Sequence, residues 1–149
     1  MSQISCLPEA VGRNESFVES AAARVLLTES NETRRAALVT ALNEAGYAAA
    51  SCPDADAVVR QARSATPDVV ILDAALPRSQ AEQCMRALKR CASTAGVSIV
   101  LTLPHLFDPS QLSELINQGV IAVLPKPFAR AQLLETVKSA AAKARRKQI

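Results

Sequence analysis

Val69-Val70-Ile71-Leu72-Asp73 is the stretch that decides the fold, because four aliphatic residues in a row are followed directly by a carboxylate. A strand that is buried on both faces reads as such a continuous run, and strands of this kind occur in parallel sheets that helices cover on both sides. In open sheets of this class, ligands bind outside the carboxyl ends of the strands. The run therefore predicts a central parallel strand, with Asp73 at the edge where a site would lie.

Four more apolar segments flank this run, and helical patterns separate them. The predicted strands are Val25 to Thr28, Tyr47 to Ser51, Val97 to Leu103 and Val120 to Leu124. The predicted helices are Thr33 to Ala45, Pro53 to Ala65, Gln80 to Cys91, Asp108 to Gln118, and Arg130 into the C-terminal tail. Strands that alternate strictly with helices form parallel sheets, because each right-handed crossover needs a covering element. The pattern predicts an α/β, flavodoxin-like (βα)5 fold, a doubly wound five-stranded parallel sheet with strand order 2-1-3-4-5.

The first predicted helix has clear ends and one apolar face. Ser30 and Asn31 carry the short polar side chains that cap helix N-termini, and Gly46 is of the type that ends helices. The apolar residues at helical spacing between them are Ala37, Leu38, Ala41 and Leu42. We expect this face to pack against the sheet.

Length and composition fit one globular domain. The 149 residues are 49% hydrophobic and 21% charged, and the net charge of +3 is too small to indicate nucleic-acid binding by itself. We expect residues 1–22 to form a flexible extension, 23–142 the domain and 143–149 a basic tail. The cations of the tail favour the C-terminal end of a helix, so a solvated helix end is the default interpretation.

The cysteines do not form a recognisable framework. Cys6, Cys52, Cys84 and Cys91 show no CxxC spacing, and His105 is the only histidine. We expect reduced thiols and a cytoplasmic protein, since neither a secretory signal pattern nor an apolar run long enough to span a membrane is present. With four glycines, no Gly-rich phosphate loop and no nucleophile–base pair, the sequence does not predict an enzyme in the ordinary sense.

Polar residues follow three of the predicted strands. Glu29-Ser30 follows the first strand, Asp73 ends the third, and Lys126-Pro127-Phe128 follows the fifth. In a sheet of this strand order the carboxyl ends of these three strands converge. Together with Pro77 four residues after Asp73, this spacing resembles that of a response regulator receiver domain, from about Arg24 to the last helix.

The resemblance implies a role for each matching residue. Asp73 would accept a phosphoryl group from a histidine kinase or a small phosphodonor, and Lys126 would pair with the acceptor and its phosphate. Pro127 would follow a cis peptide bond that aims Lys126, and Thr102 would hydrogen-bond the phosphate. Any enzymatic activity would be limited to metal-assisted self-phosphorylation of Asp73.

The resemblance also implies a magnesium site, and here the sequence departs from the family. Glu29, Asp73 and the backbone carbonyl of Ala75 match metal-binding positions, but Ser30 stands where a second acid is usual. The lost carboxylate leaves one net negative charge among Glu29, Asp73 and Lys126, and magnesium prefers carboxylate and water ligands. We therefore expect Mg²⁺ to bind weakly or not at all, with Glu32 as a candidate for partial compensation.

A second departure concerns the switch that the family uses. Val123 stands where an aromatic residue usually swings inward, so the ring that would move is missing.

Three functions stay open on these observations. The first is a stand-alone atypical receiver in two-component phosphorelay signalling, phosphorylated on Asp73. The others are a degenerate receiver that binds its partner without phosphorylation, and a small nucleic-acid adaptor that uses the basic tail.

The expected partners follow from the same resemblance. A histidine kinase or phosphotransfer protein would act on the chain, and an unknown downstream protein would bind the face of the fourth helix, the fifth strand and the last helix. Homodimerisation through that face is a tendency of the family. No membrane partner is expected.

Overall fold

The computed structural model describes residues 22–76, 80–104 and 119–147, with single positions between 108 and 117. The strands are β1 (Arg24–Leu27), β2 (Ala48–Ser51), β3 (Val69–Asp73), β4 (Ser98–Leu103) and β5 (Val120–Pro125). The described helices are α1 (Glu32–Glu44), α2 (Ala55–Ser64), α3 (Gln80–Arg90) and α4 (Arg130–Lys147). Pro77 and most of the predicted helix from Asp108 to Gln118 lie outside the described residues.

The five strands form one parallel sheet in the order β2-β1-β3-β4-β5, which confirms the predicted topology. All of β3 is buried, as its continuous aliphatic run predicts. In the register between β3 and β4, Asp73 lies opposite Thr102. The carboxyl edge of the sheet therefore carries a buried acid at its centre.

Helices cover both faces of the sheet, and β3 shows how its residues are divided between them. Side chains alternate between the two faces of a strand. Val70 and Leu72 pack in one apolar cluster with residues of α2 and α3, whereas Val69 and Ile71 pack in the other with residues of α1 and α4. By the same alternation, Asp73 belongs to the α1/α4 face.

The first helix is capped as the sequence predicts, but only part of its predicted inner face is buried. The Asn31 side chain accepts a hydrogen bond from the backbone of Arg34 at 2.9 Å, which caps α1. After the helix, Gly46 takes a positive φ of 99°, a conformation that glycine adopts without steric cost. Ala41 is buried, whereas Ala37 is exposed, so that part of the prediction was wrong. Ala37 instead lines a cavity between α1 and α4.

The last helix continues through the predicted basic tail as far as Lys147, and Ala144 on it is fully buried. No helix in the described part of the chain is long and apolar enough to cross a membrane. Cys52, Cys84 and Cys91 are free thiols. Burial raises the pKa of the Cys84 thiol to about 12, so it stays protonated and acts as a packing residue.

Candidate functional site

Glu29, Asp73 and Lys126 meet at the carboxyl edge of the sheet, as the convergence of strand ends predicts. Each stands two positions after a strand residue that packs in the α1/α4 cluster. Because side chains alternate along strands, this spacing turns all three toward the same face. The alternation of side chains along the three strands therefore brings Glu29, Asp73 and Lys126 together on one face of the sheet.

A single lysine lies between the two acids. The Nζ of Lys126 is 3.0 Å from Oε1 of Glu29 and 3.0 Å from Oδ2 of Asp73. The side chains of Glu29 and Asp73 are 1% and 2% exposed, and that of Lys126 is 16% exposed. Buried carboxylates need a compensating charge, because desolvation of an unpaired ion costs several kcal/mol. Lys126 supplies that charge to both.

The remaining carboxylate oxygens also have partners. Oε2 of Glu29 accepts a hydrogen bond from the backbone N–H of Asn31 at 3.0 Å and lies 3.5 Å from Nη2 of Arg34. Oδ1 of Asp73 accepts from the backbone N–H of Ala75 at 2.9 Å. All four oxygens of the two carboxylates are therefore engaged with groups of the chain itself.

These contacts set the charge of Glu29. Burial alone raises the pKa of its carboxyl group, since it disfavours the ionised form. The hydrogen bond from Asn31 and the nearby charges of Lys126 and Arg34 together outweigh burial, so the pKa falls below its ordinary value of 4.5. Glu29 is therefore ionised at neutral pH.

Lys126 is fixed by its backbone on both sides. Its N–H donates to the carbonyl of Leu103 at 2.9 Å, which extends the pairing between β4 and β5 by one bond. The peptide bond between Lys126 and Pro127 is cis, the geometry that the resemblance implies.

Thr102 is close in register but its hydroxyl is engaged elsewhere. The residue is 1% exposed and pairs with Asp73 across β3 and β4. Its Oγ1 donates to the carbonyl of Leu72 at 3.5 Å, a long hydrogen bond. Val123, at the predicted switch position, is half-buried and packs against the α2/α3 cluster.

A cavity of about 690 Å³ opens beside these residues, between α1 and α4. Its polar wall includes Asp73 and three cations, Arg34, Lys126 and Arg130. The other residues that line it are Ser30, Ala37, Leu38, Ala41, Ala75, Pro104, Pro127, Phe128 and Leu133. Volume and lining match those of small-ligand sites, which are largely apolar with a few convergent polar groups.

Ser30 and Ala75, which the resemblance relates to the metal site, both line this cavity. Both are exposed, and Glu32 is exposed in the first turn of α1. The charges that face one another are those of Glu29 and Asp73 on one side and Lys126 and Arg34 on the other, so they sum to zero.

Magnesium is the ion that the resemblance implies, and these residues do not fit it. Magnesium is bound in proteins through one or two carboxylates, and it keeps several water ligands. Here Ser30 stands where a second acid is usual, and Lys126 and Arg34 balance the charges of Glu29 and Asp73, so no net negative charge remains among the four side chains to attract the ion. Across the described residues, no group of three or more His, Cys, Asp or Glu side chains is arranged to hold a metal ion.

Arg34 is the site residue that the sequence interpretation missed. With Asn31 as the cap, Arg34 occupies the third position of the helix, within reach of Glu29, which stands two positions before the cap. The pattern Glu-x-Asn-x-x-Arg therefore contained a usable signal, because helix caps fix which first-turn side chains lie near the preceding strand end.

Comparisons with known proteins show which family the chain resembles. Residues 25–138 match the sequence profile of the response regulator receiver domain. The phosphate regulon transcriptional regulatory protein PhoB of Klebsiella pneumoniae is 26% identical over 118 residues, which cover 79% of this chain and 51% of PhoB. Protein PilH of Pseudomonas aeruginosa is 25% identical over 115 residues, 77% of this chain and 94% of PilH. The chain spans about half the length of PhoB.

A solved structure shows the same fold. The receiver domain of sensor histidine kinase PA1611 from Pseudomonas aeruginosa has a TM-score of 0.73 at 22% identity, with 82% of this chain and 99% of that domain covered. That structure has a magnesium ion coordinated in its active-site cleft.

Proposed function

Because this chain belongs to the response regulator receiver family, whose members work in two-component signalling, we propose that Asp73 accepts a phosphoryl group from a histidine kinase or a phosphotransfer protein. Phosphorylation then changes the affinity of the chain for a downstream protein. The chain acts as a signalling module and not as an enzyme with a substrate of its own.

The observation that carries this proposal is the position of Lys126, 3.0 Å from Asp73 at the wall of an open cavity. A phosphoryl donor brings negative charge toward a carboxylate, so a fixed cation beside the acceptor lowers the electrostatic cost of approach. Asp73 itself is buried in β3, which fixes the acceptor oxygens, while the cavity gives the donor access from one side.

The output would travel through the elements next to Asp73. Thr102 lies between Asp73 on β3 and Leu124 on β5 in the sheet register. A shift of Thr102 toward a phosphoryl group would change the packing between β4 and β5, and with it the surface of β5 and α4. The required effect is a difference in free energy between two conformers, which the added charge at Asp73 supplies.

Intact-protein mass spectrometry after incubation with phosphoramidate and Mg²⁺ tests the proposal. We expect the mass of one phosphoryl group on the parent chain and none on Asp73→Ala. Asp56→Ala is the matched control, because Asp56 is an exposed acid in the first turn of α2 and lies on the other face of the sheet. It should carry the adduct as the parent does.

Lack of an adduct on the folded parent chain would contradict the proposal. The pair of Lys126 and Asp73 would then be structural, and the downstream partner would bind the unmodified protein.

A further inference from the structure

We propose that Arg34, together with Lys126, supplies the positive charge that holds an incoming phosphoryl group at Asp73, so that this pocket accepts the group without a divalent metal ion. The inference rests on the proposed function and names the cation that this site uses.

The first step is the charge of the pocket. Two buried acids face two cations, because Arg34 joins Lys126 at Glu29. A divalent cation that enters a set of charges with no net negative charge gains little attraction. When a phosphoryl group bonds to Asp73, the carboxylate charge of Asp73 is lost, so the two cations then face Glu29 and the phosphoryl oxygens.

The second step is the freedom of Arg34. Its side chain is 58% exposed, and its contact with Glu29 is long at 3.5 Å. Only the arginine of this pair is exposed, and Glu29 keeps Lys126 and the backbone N–H of Asn31 as partners when the guanidinium group moves away. Arg34 lines the same cavity as Asp73 and Lys126, and a planar guanidinium group binds phosphate oxygens through two parallel hydrogen bonds.

The third step is Ser30. Its side chain is exposed and lines the cavity beside Arg34. A hydroxyl group donates a hydrogen bond to a phosphoryl oxygen and, being neutral, attracts magnesium less strongly than a carboxylate does. The exchange of an acid for Ser30 therefore removes a metal ligand and a repulsive charge at the same position.

The transfer step balances without a metal. An oxygen of Asp73 attacks phosphorus and forms an acyl phosphate, and the P–N bond of phosphoramidate breaks. In the zwitterionic form of phosphoramidate, ⁺H₃N–PO₃²⁻, the nitrogen already carries three protons, so it leaves as ammonia. The phosphoryl group now carries its charge between Lys126 and Arg34, while Lys126 keeps its contact with Glu29.

The rate of adduct formation with phosphoramidate, measured in EDTA and in Mg²⁺, tests the inference. We expect the two rates to agree within about twofold for the parent chain, and Arg34→Ala to lower both by about tenfold, the loss of one charge-assisted hydrogen bond. Arg34→Lys should retain part of the rate. Arg60→Ala, which removes an exposed arginine from α2, is the matched control and should react as the parent does.

A gain-of-function variant makes the same test in reverse. Ser30→Asp combined with Arg34→Ala restores an acid and removes the competing cation, so its rate should rise with Mg²⁺. Circular dichroism confirms that each variant is folded.

Binding of Mn²⁺ gives a readout that does not depend on phosphorylation. In a ¹⁵N–¹H spectrum, Mn²⁺ should leave the amide signals of Ser30 and Ala75 sharp in the parent chain and broaden them in the double variant. Selective broadening in the parent, or an adduct that forms only with Mg²⁺, would overturn the inference while the proposed function stands. An adduct in neither buffer would overturn both.

Discussion

Two ion pairs of this protein have nearly the same length and very different surroundings. Lys126 and Asp73 are 3.0 Å apart with side chains that are 16% and 2% exposed, whereas Arg130 and Glu44 are 2.9 Å apart with side chains that are 55% and 58% exposed. In the exposed pair, each charge gives up hydration for a contact of similar energy, so the pair contributes little to the stability of the fold. In the buried pair, a charge that loses its partner cannot be hydrated instead, so breaking the pair is costly.

The comparison shows that the two pairs differ in burial and not in distance. Lys126 is further distinguished by serving two carboxylates at once. Its loss would leave both acids without their main partner, while loss of either acid would leave Lys126 with the other. The expected effects of substitution are therefore unequal across the cluster.

Lys126→Met should have the largest effect. Methionine keeps much of the aliphatic volume but removes the cation, so we expect the free energy of unfolding at pH 7 to fall by about 3 kcal/mol. Urea denaturation followed by circular dichroism measures this loss. Lys138→Met, at an exposed position of α4, is the control and should leave stability nearly unchanged. If the two substitutions lowered the free energy of unfolding equally, burial would not explain the difference between the two ion pairs.

Glu29→Gln should have an intermediate effect of about 1–2 kcal/mol at pH 7, because Lys126 keeps its contact with Asp73. The pKa of Glu29 lies below 4.5 in the folded chain. Its ionised form therefore contributes stability above the pKa of the unfolded chain, and this contribution is lost as the pH falls through the folded pKa.

The same urea titration at several pH values tests the sign of this effect. The difference between the parent and Glu29→Gln should shrink as the pH falls below about 4.5. A difference that stays constant with pH would mean that the glutamine is destabilising for reasons of packing or hydrogen bonding, and not of charge.

The sequence was sufficient for much of this site because strand periodicity is a strong signal. The alternation along β1, β3 and β5 places Glu29, Asp73 and Lys126 on one face, and the convergence of strand ends brings them together. The cis bond before Pro127 could be expected only from the resemblance, because most bonds before proline are trans and the neighbouring residues do not identify the cis ones.

Other features depend on contacts that a linear pattern does not contain. Ala37 has the spacing of an inner-face residue, yet the cavity between α1 and α4 leaves it exposed. The hydroxyl of Thr102 could face either the carboxylates or the main chain of β3, and a rotamer decides between them. Arg34 was predictable only in part, because the cap at Asn31 indicates its position on the helix but not its contact with Glu29.

Arg130→Ala should have the smallest effect, a change in the free energy of unfolding of no more than about 0.5 kcal/mol. Its partner Glu44 stays hydrated when the arginine is removed, since more than half of that side chain is exposed. The change should also vanish at high salt, where exposed charges are screened. A loss as large as that of Lys126→Met would remove burial as the explanation of the difference.

The measurement that tests the central claim most directly is the cost of Lys126→Met in two backgrounds, the parent chain and a Glu29→Gln/Asp73→Asn variant. If Lys126 acts by neutralising the two acids, the substitution lowers the free energy of unfolding by about 3 kcal/mol in the parent. When both acids are already neutral, it leaves the free energy of unfolding unchanged or raises it. The same cost in both backgrounds would show that the aliphatic part of Lys126 stabilises the fold, and it would contradict the account of a shared buried cation.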